Sequence, residues 1–135
     1  MIIWSLQSNG PIQKLLHQDI VSSAVFTSQN LVASGCFDRV IRVWNVNQRK
    51  VIAWHDTKEF ITALSYNKPV LVAGLVSGDI VVYSCEEFLK KQLKINCKNR
   101  TGIYAEGRKV TGIEFYDETV VCVTTNDSRI RFVNT

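Results

Sequence analysis

The sequence predicts an all-β fold of repeated four-stranded antiparallel sheets, on three observations. Apolar runs that close on an aromatic residue recur at a near-constant interval. Ile2-Ile3-Trp4, Ile41-Arg42-Val43-Trp44 and Ile80-Val81-Val82-Tyr83 place their aromatic residues 40 and 39 positions apart. A period of about 40 residues is the length of one four-stranded unit. Short runs such as Val21–Thr27 alternate from one face to the other and end at Ser, Asn, Asp or Gly, as half-buried strands do. The chain has 135 residues, 46% of them hydrophobic and 21% charged, with seven glycines and two prolines. That composition supports one packed core without a Pro- or Gly-rich linker.

Taken in order, Met1–Leu6 is a third strand entered in mid-unit. Asn9-Gly10-Pro11 is a turn and Ile12–Leu16 an outer strand. Val21–Thr27 is an inner strand, followed by Leu31–Gly35, Val40–Val46 and Lys50–Trp54. The next unit repeats this as Phe60–Tyr66, Val70–Leu75 and Ile80–Ser84. Glu86–Lys94 is ambiguous, because Glu86 and Glu87 ahead of lysines suit a helix start. Leu93, Ile95 and Cys97 alternate with polar residues and favour a strand from about Lys91. Val110–Phe115, Val120–Thr124 and Arg129–Val133 form a third unit that stops short of a fourth strand. The run Ile130-Arg131-Phe132-Val133 ends 50 residues beyond Tyr83, so about ten extra residues, Lys98–Lys109, leave the sheet. Val25, Val32, Ile41, Val43, Leu64, Val72, Val81, Ile113 and Val121 are the expected core.

The stretch Leu31–Val46 carries Ser34-Gly35, then Asp38 in a tight turn, then Ile41-Arg42-Val43-Trp44. This resembles the signature of a WD repeat, one blade of a β-propeller. The resemblance implies WD-repeat β-propeller blades of four antiparallel strands, about three present, in a partial propeller. The expected organisation is 1–17 the end of a blade, 18–56 and 57–98 two blades, 99–109 a basic insertion and 110–135 an incomplete blade. Propellers close with about four to eight blades. The chain therefore reads as part of a longer protein, or as one whose copies close on each other through unpaired strand edges.

His17, Ser34 and Asp38 are the ingredients of acyl transfer, but their spacing points elsewhere. In WD repeats a His before the inner strand, a Ser or Thr on the second, an Asp in the turn and a Trp on the third share one hydrogen-bonded network. The resemblance maps this structural tetrad onto His17, Ser34, Asp38 and Trp44, with the imidazole and turn amides as donors to the carboxylate. No catalytic residue is expected. Blade two departs from the pattern, with Ala73 and Ser77 in place of the Ser and Asp. Blade three keeps Asp127 but has Val133 at the aromatic position. Arg129 and Arg131 alternate on one strand and are expected to pair with acids nearby, Glu114 and Glu118 being candidates.

Residues 90–109 carry seven basic side chains against one acid, Glu106. That is a local charge of +6 in a chain whose total is +4, so the remainder sums to −2. Within this stretch Lys98, Arg100, Tyr104, Arg108 and Lys109 are candidates for contact with an acidic peptide, a phosphate group or an anionic lipid surface. RNA fits less well, because no stacked aromatic platform accompanies the charge. Cys36, Cys85, Cys97 and Cys122 include no C-x-x-C spacing, so no metal and no cofactor is expected. Thiols of that kind suit a reducing compartment. Met1–Leu16 is not a signal peptide, and no apolar run is long enough to span a membrane.

Gly107–Glu114 (GRKVTGIE) and Thr125–Arg131 (TNDSRIR) resemble a Rab-GTPase-associated group of endosomal WD-repeat proteins. That resemblance implies a non-catalytic protein-interaction scaffold in Rab-linked vesicle traffic, cytoplasmic and peripheral on endosomal membranes. The group's Rab-binding region lies outside its propeller, so no Rab-contacting residue is carried over. A module that binds anionic lipid or RNA through residues 90–109 is the alternative. Other proteins, and a second copy of the chain, are the expected partners.

Overall fold

The computed structural model describes residues 1–85, 90–96, 109–127 and 129–135, with 90–96 described as backbone only. Thirteen strands and no helix occur among them. A hairpin of β1 (Ile2–Ser5) and β2 (Gly10–Lys14) comes first. Blade one is the sheet β3 (Val21–Ser28), β4 (Leu31–Cys36), β5 (Val40–Asn45) and β6 (Lys50–Asp56), in that order. Blade two is β7 (Ile61–Asn67), β8 (Val70–Leu75), β9 (Asp79–Ser84) and β10 (Lys90–Asn96). Blade three has three strands, β11 (Val110–Phe115), β12 (Val120–Thr125) and β13 (Arg129–Asn134). Every neighbouring pair is antiparallel. No sheet closes on itself, so the propeller is partial.

The strand boundaries move by one or two residues from those read in the sequence. The largest shift is β2, which starts at Gly10 and takes in Pro11 opposite Trp4. Proline has no amide to donate, and an edge strand has a row that needs no partner. The ambiguous stretch resolves as a strand over Lys90–Asn96, paired with β9; residues 86–89 lie outside the described residues. So do 97–108, which hold nearly all of the expected insertion.

The blades pack face to face, with β3, β7 and β11 side by side as inner strands. Alternation in each strand sends one set of side chains forward to the next blade and the other back. Ala33, Ile41 and Val43 of blade one meet Ile61, Leu64, Leu71, Ala73, Val81 and Tyr83 of blade two. Val72, Ile80 and Val82 of blade two meet Val110, Ile113, Val121 and Val123 of blade three. Blade two is thus covered on both sides, and β9 is buried throughout. Of the expected core, Val25 is only half-buried, at the margin of the first cluster.

Two glycines set how closely the blades approach. A Cβ on Gly35 would collide with Cγ2 of Ile61, and one on Gly74 would lie 2.9 Å from Cβ of Val110. Each glycine leaves a socket for the first residue of the next inner strand. Polar side chains stitch the same seam. Ser22 Oγ lies 2.6 Å from the carbonyl oxygen of Ile61, and Leu64 N donates to Ser23 Oγ at 3.1 Å.

Candidate interaction surfaces

A polar cluster lies on the back of blade one, where the chain leaves the β1–β2 hairpin. Trp44 Nε1 donates to Ser34 Oγ at 3.0 Å, and Ser34 Oγ lies 2.8 Å from His17 Nε2. His17 Nδ1 lies 3.1 Å from the carbonyl oxygen of Leu15, which can only accept. That fixes the tautomer: Nδ1 carries the proton, Nε2 accepts from Ser34, and the serine accepts from Trp44. The imidazole also rests on the indole, with ring centroids 5.0 Å apart. Ser34 and Trp44 are buried. Burial, the largest effect, holds the His17 pKa below 6.5, the nearby Arg42 also lowers it, and Leu15 O and Asp38 oppose this.

Asp38 takes the expected turn amide, but Arg42 stands in for the imidazole. Its Oδ1 accepts from Val40 N at 3.1 Å and from Arg42 Nη1 at 3.0 Å, and Oδ2 lies 2.7 Å from Arg42 Nη2. The ion pair is largely enclosed, with side-chain exposures of 15% for Arg42 and 11% for Asp38. Both ring nitrogens of His17 are already engaged, so the guanidinium takes the place of the imidazole as donor. Burial pushes the Asp38 carboxyl up, but the Arg42 and Val40 hydrogen bonds outweigh it and the pKa falls below 3.8. Arg42 joins the two halves, since its own carbonyl oxygen lies 3.5 Å from Ser34 Oγ. Ser34 is fully buried beneath the indole and the imidazole, so a substrate carbonyl has no approach to its Oγ.

The Asp–Arg pair returns in blade three. Arg131 Nη2 lies 2.6 Å from Asp127 Oδ2, and Nη1 donates to Thr125 Oγ1 at 2.5 Å. Thr125 also hydrogen-bonds Asp127. The acid that meets Arg131 is therefore on its own turn, four residues back, while Arg129 is exposed. The repeated spacing Asp-x-x-x-Arg at 38/42 and 127/131 is the sequence signal for these pairs. Blade two has Ser77 and Val81 at those positions. There Tyr83 replaces Trp44, His55 packs its ring on Tyr83 at 5.2 Å, and Ala73 replaces Ser34. The Tyr83 hydroxyl is buried and makes no hydrogen bond among the described residues.

Of the basic candidates, Lys98, Arg100, Tyr104 and Arg108 lie outside the described residues, and Lys109 is exposed just before β11. Among the described residues no helix is long and apolar enough to cross a membrane, and no three His, Cys, Asp or Glu side chains gather as metal ligands would.

Sequence reasoning missed two apolar faces. Ile130 and Phe132 point forward from β13 with exposures of 66% and 65%, and Tyr116 packs edge-on against Phe132. At the other end Ile2 and Trp4 point back from β1, at 50% and 58%. A groove of about 520 Å³ runs between β1 and β3, lined by Ile3, Ala24, Phe26 and their neighbours. The faces were legible in principle. Ile130 and Phe132 repeat the positions of Ile80 and Val82, which blade three covers.

No protein-family model matches the chain. It is 31% identical over 96% of its length to WD repeat-containing protein 44 of Xenopus laevis, of which it spans 15%. It is 26% identical over 96% of its length to 2-deoxy-glucose resistant protein 2 of Saccharomyces cerevisiae, spanning 18% of that protein. An uncharacterized WD repeat-containing protein of Schizosaccharomyces pombe is 22% identical over 98% of the chain and 24% of its own length. The chain thus spans less than a quarter of each curated relative. Among solved structures it superposes on the computationally designed Ika4 protein with TM-score 0.73 at 23% identity, covering 98% of this chain and 78% of that one. The designed Ika8 protein gives TM-score 0.73 at 21% identity, covering 98% of this chain and 39% of that one. Successive antiparallel sheets packed face to face make this chain a partial β-propeller, and its sequence is similar to those of WD-repeat proteins.

Proposed function

We propose that the chain is a non-catalytic protein-interaction scaffold acting in Rab-linked vesicle traffic at endosomal membranes. Similarity to WD repeat-containing protein 44 over nearly the whole chain supports this reading. The burial of Ser34 and the pairing of Asp38 with Arg42 instead of His17 support the non-catalytic part. A second copy of the chain is the partner proposed for the exposed apolar side chains of Ile2, Trp4, Ile130 and Phe132. The test is localisation of the tagged chain in cells. Enrichment on endosomes that is lost when Rab GTP loading is blocked is the expected result, and a diffuse distribution would refute the trafficking role.

The charge of residues 90–109 favours a second reading, in which the chain binds anionic lipid or RNA. Flotation with phosphatidylserine vesicles separates the two. Charge-driven binding collapses as salt rises, because the Debye length falls from about 10 Å at 0.1 M to about 3 Å at 1 M. Replacing Arg100, Arg108 and Lys109 by Ala should weaken such binding. Unchanged flotation by that variant would assign the segment to solubility alone.

A further inference from the structure

We propose, resting on the scaffold reading above, that the outer edge of β6 takes up an extended segment of another protein as a fifth strand of blade one. The segment is apolar at alternate positions and carries an acidic residue toward the β5–β6 turn.

β2, β6 and β10 are the outermost strands of three successive sheets, and the register aligns them residue by residue. Trp4, Trp44 and Tyr83 stand opposite Pro11, Val51 and Lys91. Two residues before each aromatic, Ile2, Arg42 and Val81 stand opposite Lys14, Trp54 and Lys94. In all three ladders the register shifts between these two positions, so the edges are built alike.

What differs is their protection. An outer strand shows a row of unpaired amides and carbonyls, and proteins block such rows with proline or lysine. β2 has Pro11 and Lys14, and β10 has Lys91 and Lys94. β6 has Val51 and Trp54 at the matching positions, with Ile52 and Ala53 between them. Val51 and Ile52 are exposed, and Trp54 is 67% exposed. No strand among the described residues pairs with this edge. The ends of the chain do not create it. Blade one has all four of its strands, and further blades pack on the faces of a sheet and leave its fourth strand outermost.

The backbone and the flanking charges say what fits. Thr57 N donates to the carbonyl oxygen of Arg39 at 2.9 Å, across the β5–β6 ladder. By the two-residue period His55 and Ala53 turn their backbone groups the same way, and Trp54 turns its own outward. Such a row is matched by another extended backbone, not by a helix. Val51 and Trp54 stand opposite Trp44 and Arg42, which share one face, so alternate residues of an added strand would meet them. At the start of β6, Arg49 and Lys50 are exposed and pair with no acid among the described residues. A groove of about 330 Å³ beside Arg49 is lined by Lys14 as well. An acidic residue suits that end of the added strand.

Short random peptides displayed on phage, selected against the 135-residue chain and then titrated by fluorescence anisotropy, test this. The selected peptides should alternate apolar residues and carry an acid. Trp54→Lys and Val51→Lys should each weaken their binding at least about tenfold. Circular dichroism should show both variants folded, because β10 carries lysine at the same two positions. N-methylation of alternate peptide amides removes backbone donors alone and should weaken binding as much. Val76→Asp, on the exposed β8–β9 turn, should bind as the parent does. Peptides that bind the β6 variants as tightly as the parent would overturn this edge and leave the scaffold reading standing. Peptides lost on the variants but indifferent to N-methylation would overturn strand addition, and so would a selection that enriches nothing. A dimer of the parent that Trp54→Lys dissociates in sedimentation would make a second copy the occupant and overturn the foreign segment. Edge binding intact in a chain that is diffuse in cells would remove the trafficking role and leave this inference in place.

Discussion

The backs of blades one and two are built on one plan from different materials. In each, an aromatic residue on the third strand packs against a histidine ring, tilted at 5.0 Å for Trp44 and edge-on at 5.2 Å for Tyr83. Around Trp44 the remaining space is polar: Ser34 between the two rings, and the Asp38–Arg42 pair at the turn. Around Tyr83 it is apolar, with Ala73 and Val81 in those positions. The difference follows the neighbours. Blade two is clamped between a four-stranded and a three-stranded sheet, so packing alone can fix its side chains. Blade one has a two-stranded hairpin behind it, and directional bonds hold what packing covers less completely. The turns differ in the same way. Arg39 has φ 69° where blade two has Gly78 at φ 88°, and the Asx bond from Val40 N to Asp38 helps to hold the less comfortable residue there.

If blade one depends on its polar network, the largest effects should come from breaking it. Asp38→Ala leaves the Arg42 guanidinium enclosed without its partner and releases the Val40 amide. A loss of about 2–4 kcal/mol is expected in chemical denaturation. Ser77→Ala at the matching turn of blade two removes a 3.4 Å bond to Asp79 N and should cost under about 1 kcal/mol. Equal losses at the two turns would erase the distinction. Gly74→Ala tests the packing side. Its Cβ would run into Val110 and Ile113 across the seam, so overpacking of about 1–3 kcal/mol should appear as a lower denaturation midpoint.

The comparison also predicts a gain. The Tyr83 hydroxyl has no hydrogen-bond partner among the described residues, and Ala73 stands where Ser34 serves Trp44. Burial drives its pKa well above the usual tyrosine range, with the Asp56 charge adding to it. Ala73→Ser should give the hydroxyl a partner and stabilise by about 0.5–1.5 kcal/mol. A thermal melt checks the sign. A loss would mean that the apolar packing around Ala73 outweighs a hydrogen bond, and that blade two has no room for the polar plan.

Much of the fold was legible because the signals were local and repeated. The 40-residue period, the Ser34-Gly35 and Asp38 signature and the alternation of Val21–Thr27 each act within one unit, and thirteen strands follow from them. The strand starting at Lys90 was decided by the alternation of Leu93 and Ile95 over the charge pattern that suggested a helix. What escaped depended on what lies between units. The partner of Asp38 follows from which nitrogens of His17 are already taken, a matter of distances between the hairpin and blade one. Val25 has core spacing but sits beside a groove, so it is only half-buried.

The smallest effect expected is a dependence of blade one on pH through His17. In the folded chain the imidazole is neutral, accepting from Ser34, and its pKa is held below 6.5 mainly by burial. The unfolded chain therefore binds the proton more readily, and stability rises with pH wherever the unfolded state holds more protons. The stabilisation is complete above 6.5 and is lost as pH falls below it toward the folded-state pKa. Protonation puts hydrogen on Nε2, so Ser34 must turn its own proton to the long 3.5 Å contact with the Arg42 carbonyl oxygen. Arg42 and the N-terminal ammonium add repulsion, and Asp38 offsets part of it. Because His17 is half-buried, solvent screens the change and keeps it below the effect of any substitution above. Melting curves at about pH 7.5 and about pH 5.5 should show the drop in the parent and a smaller one in His17→Gln, which keeps an acceptor without titrating. The same drop in both proteins would move the titrating group elsewhere and would remove His17 as the pH-sensitive joint between hairpin and blade one.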